Sequence, residues 1–430
     1  MRKIVRSFSV LIFAVHSFYL EAVPLSSDKT SEFPKGSLEE ALFEDASDGR
    51  LDRVSLEQAA LIASGISQRD LIKYIQKIDS IYNHIALRWP MKKLSPIQRG
   101  QVILHFLHQN VLKNYRPTAT EIQKALDKGD YNCVSSTLLF NILCARFHVQ
   151  TIGIEVPTHV YSAILNPRSK NGIKEVQTTI PQGFLVSKQA ALKINEFISH
   201  PTIQTWKGKR RITQVPLVAV IYFNRGISWI LKGDYAQALP FYRKVYRLDS
   251  EFPSLTPLIS ELYTSLGNKF FESQDYASAI RMYREGLSFL GRSSVKLLSE
   301  NLAAALINQT NVLMNQKRWN EAEILIKQAQ DVGPFKETIL YNRRAMYYAW
   351  GQDYIDQKKW HDALALYRKA RKEFPHEKGF HQNLSWTYAK IGEELFKTHQ
   401  LKKAKIWYAM AYRETGEQDF KKIRQWLEKA

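Results

Sequence analysis

Apolar positions recur along the second half of the chain with a fixed long period. Ala238, Ala279, Ala322, Ala363 and Ala404 stand 41, 43, 41 and 41 residues apart. A large apolar side chain lies three residues before each: Tyr235, Tyr276, Trp319, Trp360 and Leu401. Four residues after each come Tyr242, Tyr283, Ile326, Tyr367 and Tyr408, and twelve before come Gly226, Gly267, Thr310, Gly351 and Gly392. Small residues that let helices approach, with aromatics to fill the space between units, predict a stack of five helix–turn–helix repeats. A polar last helix over 419–428 is expected to cap the stack.

The first half alternates between two periodicities. Helical spacing marks 55–63, 68–87 and 96–111, and Ser37 opens an earlier helix with a capping-box look. Trp89-Pro90 and Arg116-Pro117 close two of these elements. Leu138, Leu139, Ile142, Leu143 and Phe147 recur at three- and four-residue steps, predicting a helix over 135–147. The run 149–156 then reads as a strand ended by Pro157, and His159 opens a second strand. After a basic turn, Glu175-Val176-Gln177-Thr178-Thr179 reads as a third strand. Residues 180–184 turn back, a helix is expected over 187–197, and the basic run 206–211 is expected to be a turn between domains.

Composition narrows the class. A chain of 430 residues with 45% hydrophobic and 24% charged content has room for two or three domains. Its net charge of +20 is concentrated in 201–430, where 37 Lys and Arg face 23 Asp and Glu. That excess leaves open contact with an anionic surface or acidic partner, but charges spread over amphipathic helices read first as a solvated basic face. No nucleic acid is expected, since charge alone would carry that reading. There is no Gly-rich phosphate loop and no cofactor is expected. His105 and His108 are three apart on one helix without a third ligand nearby, so no metal is expected. Arg2, Lys3 and Arg6, the short apolar stretch 8–20 and Ala22 read as a secretory signal over 1–22, followed by a polar linker over 23–36. The stretch is too short and too polar to span a bilayer stably, so the protein is expected to be exported, periplasmic or secreted, with no transmembrane segment after cleavage; a retained N-terminal anchor is the alternative.

The chemistry gathers around Cys133. It falls at or just before a helix N-terminus, where unpaired N–H groups and the helix dipole favour a thiolate. Cys144, eleven residues on, would lie about 16 Å away along a continuous helix, so both thiols should be free and Cys144 reads as core. A helix-borne Cys followed by a strand-borne His, His159, is a thiolate–imidazolium pair if the fold joins them. The run Gly129-Asp130-Tyr131-Asn132-Cys133-Val134-Ser135, the apolar helix, the strand ending in Pro157-Thr158-His159 and the Thr178-Thr179 strand resemble the compact bacterial branch of the transglutaminase-like superfamily. The resemblance covers about 50–190. It implies a papain-like arrangement with Cys133 as nucleophile, His159 as base and a third residue orienting the imidazole. Where that branch carries an acid just before the Thr pair, this chain has Gln177, whose carbonyl can accept from the ring. Glu175, two residues earlier and expected on the same strand face, is the alternative.

The repeats resemble the tetratricopeptide repeat, with Gly233-Asp234-Tyr235-Ala236-Gln237-Ala238 as the best local match. The family's 34-residue unit is lengthened here by about seven, two helical turns, which predicts longer helices rather than loop insertions. Such arrays bind proteins or peptides in a groove, where Asn224, Asn308 and Lys390 occupy equivalent positions; these also read as solvated or inter-helix residues. The expected fold is therefore α+β: a papain/transglutaminase-like Cys-His domain with a helical lead-in over 37–200, a connector over 201–218, and an all-α tetratricopeptide-like solenoid over 219–430. Two functions follow. One is an exported cysteine hydrolase or acyltransferase acting on a protein or peptide amide. The other is an extracytoplasmic adaptor whose Cys domain is degenerate. The short connector with its apolar end predicts that the first repeat docks on the Cys domain.

Overall fold

The computed structural model describes residues 33–169, 171–185, 207–253, 255–290 and 296–429. The expected signal and the helix expected over 187–197 lie outside them. The chain is mostly helical. Its first part comprises α1 (Leu38–Asp45), α2 (Leu56–Ala63), α3 (Gln68–Arg88), α4 (Pro96–Asn110), α5 (Ile122–Lys128) and α6 (Cys133–Arg146). Ser55 and Ser95 close capping boxes with Gln58 and Gln98, which satisfies the free N–H groups where α2 and α4 begin. Every residue of α6 from Cys133 to Cys144 is buried, so this helix is the axis on which the rest packs.

Two small sheets accompany these helices. β1 (Asn114–Tyr115) and β2 (Asp130–Tyr131) make a short parallel pair that delivers the chain to Cys133. β3 (Thr151–Val156), β4 (His159–Leu165), β5 (Ile173–Val176) and β6 (Arg210–Ile212) form an antiparallel sheet in the order β5-β4-β3-β6. A sheet of this size does not define a papain-like domain. Arg210 and Arg211, expected in a turn, are strand residues: Arg210 pairs with Glu155 and Ile212 with Gly153. Three residues with two charges carry no alternation to read, and what holds them is the neighbouring strand.

The second part is an array of five helix pairs. They are α7 (Gln214–Ile230) with α8 (Tyr235–Leu248), α9 (Leu255–Glu272) with α10 (Tyr276–Leu290), and α11 (Lys296–Asn315) with α12 (Trp319–Val332). Then come α13 (Lys336–Asp356) with α14 (Trp360–Glu373), α15 (Lys378–Lys397) with α16 (Leu401–Thr415), and a last helix, α17 (Gln418–Lys429). The second helix of each pair has 14 or 15 residues, whereas the first has 17 to 21, so the added length sits in the first helices.

The repeated residues pack as pairs within each hairpin. A Cβ placed at Gly226 would lie 2.7 Å from the Tyr242 ring, and at Gly392 it would lie 3.1 Å from Tyr408; the approaches at Gly267 to Tyr283 and Gly351 to Tyr367 are closer still. The third pair substitutes both partners, with Thr310 and Ile326 fully buried at the same positions. A larger side chain on one helix is thus matched by loss of a ring on the other. Each hairpin also turns through one left-handed residue, five before the marker Ala: Gly233, Gln274, Lys317, Lys358 and His399. Only the first is the glycine that this conformation favours. Side-chain ties join successive second helices, from Arg243 to Glu285, Arg284 to Gln328, Lys369 to Glu323 and Arg371 to Glu414.

The first pair docks on the Cys-bearing part, and one hydrophobic core runs through both. Val215, Leu217, Val218, Ala219 and Val220 are buried. Polar groups fasten the contact: Tyr222 Oη and Lys244 Nζ reach Glu39, and Arg225 Nη1 donates to the Ala63 carbonyl. Asn224, one of the three groove positions, instead donates to Thr120 Oγ1 at 3.1 Å. Asn308 donates to the Ala304 carbonyl and Lys390 pairs with Glu393.

Candidate functional site

The site is built where α6, β4 and the chain after β5 meet. Asn132 caps α6, its Oδ1 accepting from Val134 and Ser135 N–H at 2.9 and 3.2 Å. Cys133 is the first helical residue, so its own N–H stays outside the helical ladder and lies beside its thiol. His159 is the first residue of β4 and Gln177 follows the end of β5. The structure brings all three together. The His159 side chain is hydrogen-bonded to Cys133, and its Nε2 lies 3.0 Å from Gln177 Oε1, so Nε2–H donates to the amide carbonyl and Nδ1 is the nitrogen left for the thiol. Exposure is low throughout: 9% for Cys133, 6% for His159 and 7% for Gln177.

Glu175 goes elsewhere. Its Oε2 accepts from Tyr161 Oη at 2.9 Å and its Oε1 lies 2.5 Å from Lys209 Nζ. Strand alternation would have put Glu175 and Gln177 on one face, but β5 ends at Val176 and Gln177 leaves the ladder. The turn after it closes tightly, with Gln177 N–H donating to the Gly183 carbonyl at 3.0 Å. A Cβ at Gly183 would run into the Gln177 backbone, so only glycine permits this closure.

The electrostatics favour charge separation between Cys133 and His159. Burial pushes the Cys133 thiol up, but the His159 hydrogen bond and charge, with the Val160 and Cys133 N–H groups, outweigh it and hold the thiol below its ordinary value. Burial pulls His159 down, but the Cys133 hydrogen bond and charge and the Gln177 bond carry it above its ordinary value. Cys144 has no such partner, and burial alone pushes its thiol well up. Tyr115, edge-on to Tyr131 at 5.7 Å, feels the Cys133 charge and is also raised, chiefly by burial.

A buried polar network holds these groups in register, and the apolar periodicity of α6 gave no sign of it. Thr178 Oγ1 meets Thr137 Oγ1 at 2.7 Å and Ser136 Oγ at 3.2 Å, which fastens the Gln177 loop to α6. Tyr131 Oη donates to the Thr179 carbonyl, and His108 Nε2 bonds the Thr178 carbonyl at 3.0 Å. Thr137 Oγ1 donates to the Val160 carbonyl and Ser162 Oγ to Asn141 Oδ1, which ties β4 to the same helix. The signal in the sequence was the polar run Ser135-Ser136-Thr137 inside a helix otherwise reading as core. Among the described residues no cluster of three His, Cys, Asp or Glu is placed to hold a metal ion. No helix among them is long and apolar enough to cross a membrane.

Comparison with known proteins speaks to the array. Residues 348–393, from the second half of α13 through α14 and into the last part of α15, match the tetratricopeptide repeat family. No curated protein matches the chain. Solved structures similar to it include one described as the functional characterisation of Pseudomonas aeruginosa pilF, 19% identical, covering 46% of this chain and 77% of that one, with a TM-score of 0.17. Another is MamA 41-end from Desulfovibrio magneticus RS-1, 17% identical over 47% of this chain and 97% of that one, TM-score 0.16. A third is YrrB, described as a TPR protein with an unusual peptide-binding site, 17% identical over 47% and 89%, TM-score 0.17. These likenesses carry no argument about what this chain binds. The helix pairs define a helical-repeat protein, and the residues that match the tetratricopeptide repeat family suggest a protein-binding role.

Proposed function

We propose that this chain is an exported cysteine hydrolase or acyltransferase of transglutaminase-like type, acting on a protein or peptide amide recruited by its helical repeats. The observation that carries the reading is the hydrogen-bonded chain from Cys133 through His159 to Gln177 at the N-terminus of a buried helix. In this reaction the Cys133 thiolate attacks the amide carbonyl carbon, and a C–S bond forms. The oxyanion develops beside the Cys133 N–H at the helix start. Imidazolium His159 gives its proton to the leaving amine as the C–N bond breaks, which leaves a thioester. Water or a second amine then attacks the thioester carbonyl while His159 takes its proton, and the C–S bond breaks to return the Cys133 thiolate and the His159 imidazolium. Gln177 orients the ring through a neutral acceptor, so the charge that stabilises the imidazolium comes from the thiolate, with the Gln177 bond adding to it.

A small activated ester tests this. p-Nitrophenyl acetate should release a burst of nitrophenolate equal to the protein concentration and leave an acetyl group on Cys133, removable by hydroxylamine. Absence of that adduct, or its persistence in His159→Ala, contradicts the reading. The burial of Cys133 favours a second reading, an extracytoplasmic adaptor in which the repeats bind and the Cys domain is inert. No adduct on Cys133, with capture of a protein partner by the full chain unchanged in Cys133→Ala, is its expected outcome.

A further inference from the structure

We infer that Asp249 and Arg210 are positioning residues for the Cys133–His159 pair, so that the first helix pair of the array is a working part of the site. The inference rests on the catalytic reading above. It begins with β6, the strand nearest the array. Arg210 Nε lies 2.5 Å from Glu155 Oε2 on β3, and both of its terminal nitrogens bond the Asp249 carboxylate at the C-terminus of α8. Its guanidinium also sits over the Phe252 ring at 5.6 Å, and Phe252 stacks on Phe223 of α7 at 4.5 Å. Both carboxylates are almost fully withdrawn from solvent, with side chains 8% and 6% exposed. A planar fork held bidentately by one acid and from the side by another has little freedom to move.

That clamp acts one ladder step from the site. Arg210 pairs with Glu155 across β6 and β3, Glu155 pairs with Val160 across β3 and β4, and Val156 pairs with His159. Val160 supplies one of the N–H groups beside the Cys133 thiol, and His159 precedes it. A line of backbone pairing therefore joins Arg210, whose side chain the array's Asp249 holds, through Glu155 to Val160, the residue after His159. Releasing Arg210 from Asp249 frees the edge strand and lets β3 and β4 drift relative to α6. The sign of the effect separates positioning from a field effect. Removing a negative charge would by field alone stabilise a thiolate and lower its pKa. Loss of alignment with His159 and the Val160 N–H raises it.

The experiment follows iodoacetamide alkylation of the full chain in a Cys144→Ala background, across about pH 5 to 9. The titrating groups that face Cys133 are His159 and Tyr115; Arg210 itself faces Glu155 and Asp249. Asp249→Asn should slow alkylation on the acid side by about threefold, equal to a rise of about half a pH unit in the thiolate midpoint. Asp249→Glu, which keeps the charge, should restore most of the rate, and thermal melting shows that each variant is folded. An unchanged or faster rate in folded Asp249→Asn overturns the inference. If alkylation in the parent protein does not depend on His159, the catalytic reading falls and this inference falls with it. If it does depend on His159 and Asp249→Asn is silent, only this inference falls.

Discussion

Replacing Gly351 with Ala tests the packing rule of the array. A methyl group there enters the ring of Tyr367, which is fully buried, so the ring itself must shift. Overpacking of this kind costs about 1–3 kcal/mol, while Ala in place of a mid-helix Gly returns about 0.8–1 kcal/mol of helix propensity. Gly351→Ala should therefore lose about 0–2 kcal/mol, on the order of 1 kcal/mol at the middle of that range. At Gly392 the added atom would stand 3.1 Å from Tyr408, a ring 8% exposed that can yield a few tenths of an ångström. There the propensity gain should win, and Gly392→Ala should be neutral or more stable. The third helix pair supplies the rescue, since it carries Thr310 and Ile326 at the positions of Gly351 and Tyr367. Gly351→Thr with Tyr367→Ile should recover most of what Gly351→Thr loses, a coupling of about 1–2 kcal/mol. Urea unfolding with hydrogen exchange resolved over 336–373 reads the local term in an array that need not unfold in one step. Equal effects of Ala at 351 and 392, or additive losses in the double variant, would show that the glycine–ring contact does not set the packing.

Two further outcomes follow from the hairpin turns and the third site residue. Gln274→Gly and Lys358→Gly should each stabilise their hairpins by about 0.5–1 kcal/mol, because a left-handed conformation strains an L side chain; thermal melts of the single variants check this, and destabilisation by both would contradict it. Gln177→Ala should slow Cys133 alkylation about tenfold by freeing the ring, whereas Gln177→Glu should move loss of the imidazolium to higher pH by about one pH unit. A titration of the His159 ring by NMR reads the second effect, and a downward movement would contradict it.

What the sequence made legible divides along physical lines. The array could be read because its contacts are local: Gly351 and Tyr367 lie sixteen residues apart in one hairpin, and the same spacing returns in every unit. The turn residues were hidden because Gln274, Lys317, Lys358 and His399 carry the left-handed φ without being glycine. Cys133 and His159 stood out through residue type at a helix start and a strand start. The choice between Gln177 and Glu175 did not follow from alternation, since alternation assumes a strand that continues, and β5 stops one residue too soon. The Arg210 clamp was out of reach for a different reason. A three-residue strand with two arginines has no period, and its partners Glu155 and Asp249 lie 55 and 39 residues away. Asn224 shows the same limit: its position matches a groove residue, but docking of the first pair turns it toward Thr120.

Cys133 and His159 are proposed to form a thiolate–imidazolium pair. Its most direct measurement is the rate of Cys133 alkylation against pH in Cys144→Ala, with and without His159→Ala. The Cys133 thiol is held low and His159 is held high. Below its lowered value the Cys133 thiol is protonated and slow, and above it the thiolate beside His159 reacts. The rate should therefore rise below the ordinary cysteine value of about 8.5, and His159→Ala should move that rise to about 8.5 or above. A rise at or above the ordinary value that is indifferent to His159→Ala would contradict the account.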